Sequence, residues 1–395
     1  MQICFLGCFD NLMLKNTGGS IRTYYLAKSI SALGHEVHIV IPTGEKTCKW
    51  NNGVTLHGIT GVLPHQVLRF LSIIIGVSKA TSLFLYDLSF IFRLRHIILS
   101  SNIVQAEGAV SSALITLFVK KVFKKPVVVD SHDAFQALRI RYQNSLRKIF
   151  EIFFEKIAYK YSDLILAVSE KDKEFLIKQG VTQDKIVVIP NGVDIEAFEP
   201  SLKAKKAPVV HDLKRPCQVV FVGNMEYLPN QEAAEIIISH IAPKVLSQID
   251  NVEFLMIGRA SLKRRVNSAN IVFTGVVDDV AEFLSASDVA VAPLIQGSGT
   301  RLKILEYFSC GLPVVSTSVG AEGLDVKNNV NILIEDDMDK FAIRIIDLLR
   351  NKELRERIGK AARDLIVKRY DWRIIGKKLN AVYVKLDKMR VHNNL

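Results

Sequence analysis

Arg301, Lys303 and Glu306 fall in the stretch GSGTRLKILEYFSCGLPVVS (residues 297–316), where the other residues of the first helical turns are apolar. The opening Gly297, Ser298, Gly299 and Thr300 read as a helix start, because a short hydroxyl side chain satisfies the orphan N–H groups there. That end of a helix is already positive, so each cation placed in its first turn costs on the order of 0.3–1 kcal/mol. A phosphate or diphosphate seated on the same N–H groups reverses the sign of that term, and glycines let the backbone approach it closely. Glu306 lies about 60° around the helix from Lys303. A carboxylate there can accept two hydrogen bonds from vicinal hydroxyls such as those of ribose. The same residues also fit an ordinary capped helix with Lys303 paired to Glu306, and this stretch alone does not choose between the two.

A second stretch repeats the pattern. Gly18, Gly19 and Ser20 open a helix with Arg22 in its first turn, shortly after the apolar run 2–7. It lacks the G-x-G-x-x-G spacing of dinucleotide sites, which argues against a nicotinamide cofactor. Taken alone, a flexible loop with a solvated arginine explains it equally well. Two such turns in one chain favour a pair of anion-binding edges. In VVVDSHDAF (127–135), Asp130, His132 and Asp133 follow a buried-strand pattern, where a histidine can donate to a sugar hydroxyl or move a proton. A capping aspartate beside a surface histidine is the plainer account. No G-x-S-x-G elbow supplies a hydrolase nucleophile. Asn191-Gly192 in IPNGVD marks a tight turn, for which turn chemistry is reason enough.

The elements that must carry these residues are legible as alternating strands and helices. Strands are expected at 2–7, 35–41, 103–106, 126–130, 163–168 and 185–189. A second set is expected at 217–223, 252–258, 271–275, 289–294, 313–317 and 331–335. Their unbroken apolar character is that of parallel strands covered on both faces, and the alternation with helices predicts doubly wound α/β sheets. Residues 195–216, with three prolines and a lysine cluster, read as a linker. Ligands of such sheets bind beyond the carboxyl ends of the strands, where all four stretches fall.

With these motifs on the page, the chain resembles the retaining glycosyltransferases of family 4, of the GT-B fold, over nearly its whole length. The resemblance rests on the Gly-Gly helix start, GHEV, the histidine of SHD, IPNGVD, and the block SASDVAVAPL…TRLKILEYFSCGLPVVST. It implies two Rossmann-like doubly wound domains facing a central cleft. Residues 1–198 with the helix 373–395 form the acceptor-side domain, and 199–372 the nucleotide-sugar domain. It further implies transfer of a sugar from a nucleotide-sugar donor, UDP- or GDP-linked, with retention and without a metal or other cofactor. By position, Glu306 matches the ribose-binding glutamate, Gly19 the glycine near the donor phosphates and His132 the histidine near the reacting sugar. Gly18, Arg22, Asn191, Gly223 and Asn224 join the expected donor site with Gly297, Ser298, Gly299 and Thr300.

This sequence departs from the family pattern twice. The first motif glutamate would fall at Ser298, and the usual cations after the first strand of the second domain are replaced by Asn224 and Asn230. Arg301 and Lys303 are therefore expected to meet the diphosphate, with His132 beside the sugar. A sugar-nucleotide epimerase, or a non-catalytic module binding nucleotide or glycan, is the alternative.

The net charge of +12 is not gathered into a nucleic-acid stripe. Residues 65–160 hold 14 basic against 6 acidic residues, and 67–102 is apolar with Arg69, Lys79, Arg93 and Arg95 interspersed. With Lys120, Lys121, Lys124 and Lys125 this predicts contact with an anionic membrane surface and a glycan or lipid-linked acceptor. Helices that merely cover the first sheet fit the same pattern. Five scattered cysteines, no signal-peptide start and no apolar run of ~20 residues predict a reduced, cytoplasmic protein, at most on the inner membrane face.

Overall fold

A computed structural model describes residues 1–7, 18–41, 48–50, 53–58, 93–131, 146–200, 216–260, 268–297 and 300–393. The chain forms two compact units, Met1–Asn191 with Trp372–Leu395, and Gly192–Asp371. The chain passes between the units at Asn191–Gly192 and returns at Trp372.

Unit 1 is an eight-stranded sheet in the order β3-β4-β2-β1-β5-β6-β7-β8. Its strands are β1 (Gln2–Leu6), β2 (Glu36–Ile41), β3 (Cys48–Trp50), β4 (Val54–Gly58), β5 (Ile103–Glu107), β6 (Val127–Ser131), β7 (Leu164–Ala167) and β8 (Ile186–Val188). All pairings are parallel except that of β3 with β4. Apolar residues of successive positions point to opposite faces, so Ile3 and Phe5 serve one core layer and Cys4 and Leu6 the other. Helix α1 (Gly18–Ala32) follows β1 and ends at Gly34, whose φ of +86° suits a residue without a side chain. Later helices are α2 (Arg95–Ser100), α3 (Ala113–Lys121), α4 (Leu146–Tyr161) and α5 (Glu170–Lys178).

Unit 2 is a six-stranded, all-parallel sheet in the order β11-β10-β9-β12-β13-β14. The strands are β9 (Cys217–Val222), β10 (Val252–Ile257), β11 (Ile271–Gly275), β12 (Val289–Ala292), β13 (Val314–Ser316) and β14 (Leu333–Ile334). Counted within the unit this is the 3-2-1-4-5-6 order of a Rossmann sheet, and the order reverses between β9 and β12. Helix α6 (Leu228–Ile236) runs through a π-turn (Ile237–Ile241) into α7 (Ala242–Leu246). Helices α8 (Val280–Ala286), α9 (Leu302–Ser309), α10 (Met338–Arg350) and α11 (Lys352–Arg369) complete the unit.

All twelve expected strands form. The expected 289–294 strand stops at Ala292, because Pro293 has no N–H to continue the ladder. Strands β3 and β4 were not expected. β3 has only three residues, and Thr55, His57 and Gly58 break the apolar pattern of β4. Helix α12 (Trp372–Asn393) returns to unit 1 and packs on α1. Trp372 stacks on Tyr25 with ring centroids 5.4 Å apart, and a Cβ on Gly376 would lie 2.4 Å from that of Ser29. Only glycine permits that approach. No helix among the described residues is long and apolar enough to cross a membrane.

Candidate functional site

The anomalous cations lie at the reversal point of the second sheet. Strand β9 delivers Gly223 and Asn224 to its carboxyl edge, and the turn after β12 delivers Gln296, Gly297, Thr300 and Arg301 beside them. Arg301 is the N-cap residue of α9 rather than a member of its first turn, and Lys303 is inside that turn. The Lys303 Nζ donates to Asn230 Oδ1 (2.8 Å) and stands 4.2 Å from the centroid of the Phe221 ring. Asn230 is itself held, since its Nδ2 donates to the Asn224 carbonyl (3.0 Å). Asparagines at the positions where cations were expected therefore orient a cation that comes from α9.

Space at this edge is set by glycines. A Cβ on Gly223 would lie 3.0 Å from Lys303 Nζ and 2.9 Å from the Asn230 amide. Gly297, at φ +131°, lies under the Arg301 guanidinium, 2.8 Å from the nearest nitrogen to an added Cβ. Gly258, at φ +127°, would drive a Cβ to 2.2 Å from the Gly223 carbonyl oxygen. Thr300 is buried, and its hydroxyl has no hydrogen-bond partner among the described residues. The buried Tyr307 accepts from the Val222 amide (2.7 Å), tying α9 to the end of β9.

Lys303 donates to Asn230 rather than to Glu306, although the two charges still act on each other through space. Both charges are costly here. Burial, with the Arg301 charge adding to it and Glu306 opposing, pulls the Lys303 ammonium down to about 7. Burial pushes the Glu306 carboxyl up to about 7 against the pull of Lys303. An anion received at the Arg301–Lys303 end would restore the ammonium.

The corresponding turn of unit 1 is built differently. Arg22 is fully buried, and its Nε donates to Asp130 Oδ2 (2.7 Å) on β6. Its Nη1 donates to the Pro190 carbonyl and to Asn191 Oδ1, each at 3.0 Å. These bonds hold the start of α1 to β6 and to the Pro190–Asn191 turn, while Arg22 Nη2 and Asp130 Oδ1 have no hydrogen-bond partner among the described residues. The guanidinium is neutralised by a carboxylate and positions three segments, and the Asn191 oxygen is already occupied. Asp130 is a buried strand residue, not a capping one. Beside it, Glu107 accepts from Thr23 (3.0 Å) and from Gln105 (2.8 Å), so the start of α1 is fixed by two buried carboxylates. Gly18 and Gly19 open α1 as expected.

His132, Ser298 and Gly299 lie outside the described residues, as do residues 67–92 of the expected membrane segment. Of the lysines at 120–125, Lys120 pairs with Asp163, and Lys125 donates to the carbonyls of Leu99 and Ser101. Both are used inside unit 1. Lys121 lies over the Tyr161 ring, while Leu99 and Val122 are exposed.

Comparison with known proteins points to sugar transfer. Residues 16–197 match the family described as Glycosyltransferase Family 4, and residues 216–351 that described as Glycosyl transferases group 1. Both matches are to glycosyltransferase families, and the fold is that of the GT-B glycosyltransferases. It is 25% identical over 284 residues to an uncharacterized glycosyltransferase, MJ1069, of Methanocaldococcus jannaschii, covering 68% of this chain and 71% of that protein. It is 31% identical over 233 residues to the UDP-Gal:alpha-D-GlcNAc-diphosphoundecaprenol alpha-1,3-galactosyltransferase of Escherichia coli, covering 56% of this chain and 59% of that one. The fold is similar to that of Anabaena HepE in complex with UDP-glucose, with a TM-score of 0.72 at 16% identity over 98% of this chain and all of that one.

Proposed function

We propose that the protein transfers a hexose from a nucleotide-sugar donor to a glycan or lipid-linked acceptor, with retention of configuration. The observation that carries this reading is the Arg301–Lys303 pair at the β9/β12 reversal point, framed by Gly223 and Gly297 and followed by Glu306. Departure of a nucleoside diphosphate builds negative charge on the leaving oxygens. Preorganised cations and helix N–H groups meet that charge without rearranging. Arg301, Lys303 and the start of α9 do so in this reading, so no metal is required. Glu306 accepts from the ribose hydroxyls. His132 orients the sugar, and the acceptor proton leaves late, to the departing phosphate. A UDP donor and a lipid diphosphate acceptor are supported by the Escherichia coli relative, and UDP-glucose by the HepE complex. The exposed Leu99 and Val122 among lysines support contact with the inner face of a membrane, and a cytoplasmic location goes with it.

The test is a thermal-shift screen with UDP, GDP, ADP, CMP and dTDP in the presence of EDTA, repeated on Glu306→Ala and Arg301→Ala. A ligand that binds only the folded chain raises the melting temperature with ln(1 + [L]/Kd). One nucleoside diphosphate is expected to shift the unaltered chain, and both substitutions to abolish the shift. No shift with any of them overturns the reading, and a shift that needs metal overturns its metal-free form.

A further inference from the structure

A donor site of this kind must also recognise the sugar, and the position expected to supply an acid for that purpose is Ser298. The structure brings a carboxylate to the same turn from another element. Glu232, in α6, accepts from Gln296 Nε2 at 2.5 Å, and Gln296 precedes Gly297 at the carboxyl edge of β12. Both side chains are half-buried. Among the described residues the second Glu232 oxygen accepts no hydrogen bond, and the Thr300 hydroxyl, more than nine-tenths buried, is also without a partner. The same helix supplies Asn230, which holds Lys303. The start of α6 is therefore fastened to this turn at two points, and one fastening leaves acceptor capacity unused.

We propose that Glu232, oriented by Gln296, binds the hydroxyls of the donor sugar in place of the acid absent at position 298. The proposal rests on the nucleotide-sugar reading given above. A carboxylate oxygen accepts strongly from a ring hydroxyl, the Gln296 amide oxygen offers a second acceptor, and Thr300 can donate or accept. Such a site discriminates between sugars by leaving a buried acceptor unmatched when a hydroxyl has the wrong configuration. Arg301 and Lys303 would then bind the part common to all donors, and Glu232 the part that differs.

The experiment separates those two contributions. Isothermal titration measures the affinity of UDP, UDP-glucose, UDP-galactose and UDP-N-acetylglucosamine for the unaltered chain, Glu232→Gln and Gln296→Ala. For the tightest sugar nucleotide, Glu232→Gln is expected to weaken binding at least tenfold while UDP stays within twofold. Gln296→Ala should weaken the same ligand less and narrow the preference among the three sugars. Unchanged sugar-to-UDP ratios in both variants overturn the role of Glu232 and leave the nucleotide reading standing. Equal losses for UDP and the sugar nucleotides at an unchanged melting temperature also overturn it, because they place Glu232 with the diphosphate. Failure of the unaltered chain to bind UDP overturns the UDP-donor reading itself.

Discussion

Lys303 carries a proton that its surroundings barely tolerate. Its ammonium, at about 7, is opposed by burial and Arg301, and its surviving support is Asn230, the Phe221 ring and Glu306. A diphosphate favours the protonated form, so donor affinity should weaken by up to ~tenfold per pH unit as pH rises above about 7. Glu306 works in the opposite sense. It must be ionised to accept from two hydroxyls, so affinity should also weaken as pH falls below about 7. Titration with UDP-glucose, whose diphosphate has no proton to lose near neutrality, should trace a bell centred near pH 7. The alkaline limb should vanish in Lys303→Met and the acid limb in Glu306→Gln. A flat profile in the unaltered chain would show that neither group titrates in the site. This triad was legible in the sequence because its charges contradict a local rule within six residues. Asn230 and Phe221, the groups that position Lys303, were not, because nothing in their local pattern marks a contact with α9.

At the scale of elements, the decisive contacts join segments far apart in the chain. Arg22 meets a carboxylate 108 residues away and an amide 169 residues away. The Gly-Gly helix start, the strand before SHD and the IPNGVD turn, three motifs recognised one by one, thus converge on one guanidinium. Each motif lies at a strand or helix end, as its local pattern implies, but the contact of Arg22 with Asp130 and Asn191 is not written in any of them. Pairing across a sheet is a property of strand order, which periodicity does not reveal. Removing one member of a buried ion pair strands the other charge, so Arg22→Met should cost about 3–5 kcal/mol. The double variant Arg22→Met/Asp130→Leu should recover much of that loss in chemical denaturation. If the single variant is as stable as the unaltered chain, the pair is not what holds β6, α1 and the Pro190–Asn191 turn together.

For the whole molecule, strand positions and the two-sheet architecture followed from apolar runs of ordinary length. Residues 195–216 read as a linker; of these, 201–215 lie outside the described residues, and 192–200 group with unit 2. The return of α12 rests on the Gly376–Ser29 approach and the Trp372–Tyr25 stack. Gly376→Ala forces α12 away from α1, an overpacking cost of ~1–3 kcal/mol. Hydrogen exchange should then quicken in the strands of unit 1 and stay unchanged in those of unit 2. Equal acceleration in both would mean that the two cores are not separately stabilised.

Unit 2 is written as one uninterrupted stretch, whereas unit 1 needs Ile375, Leu379 and Tyr383 to close the core layer formed by Ile3, Phe5 and Leu26. Domains ordinarily fold in the order in which a ribosome releases them. Here that order inverts. The segment made first waits, one face of its sheet covered by α1 but not by α12, through the synthesis of about 180 residues of the other unit, a delay of roughly 10–40 s at ordinary elongation rates. Exposed apolar strands in that interval make the nascent first unit, rather than the finished protein, the form most in need of chaperones.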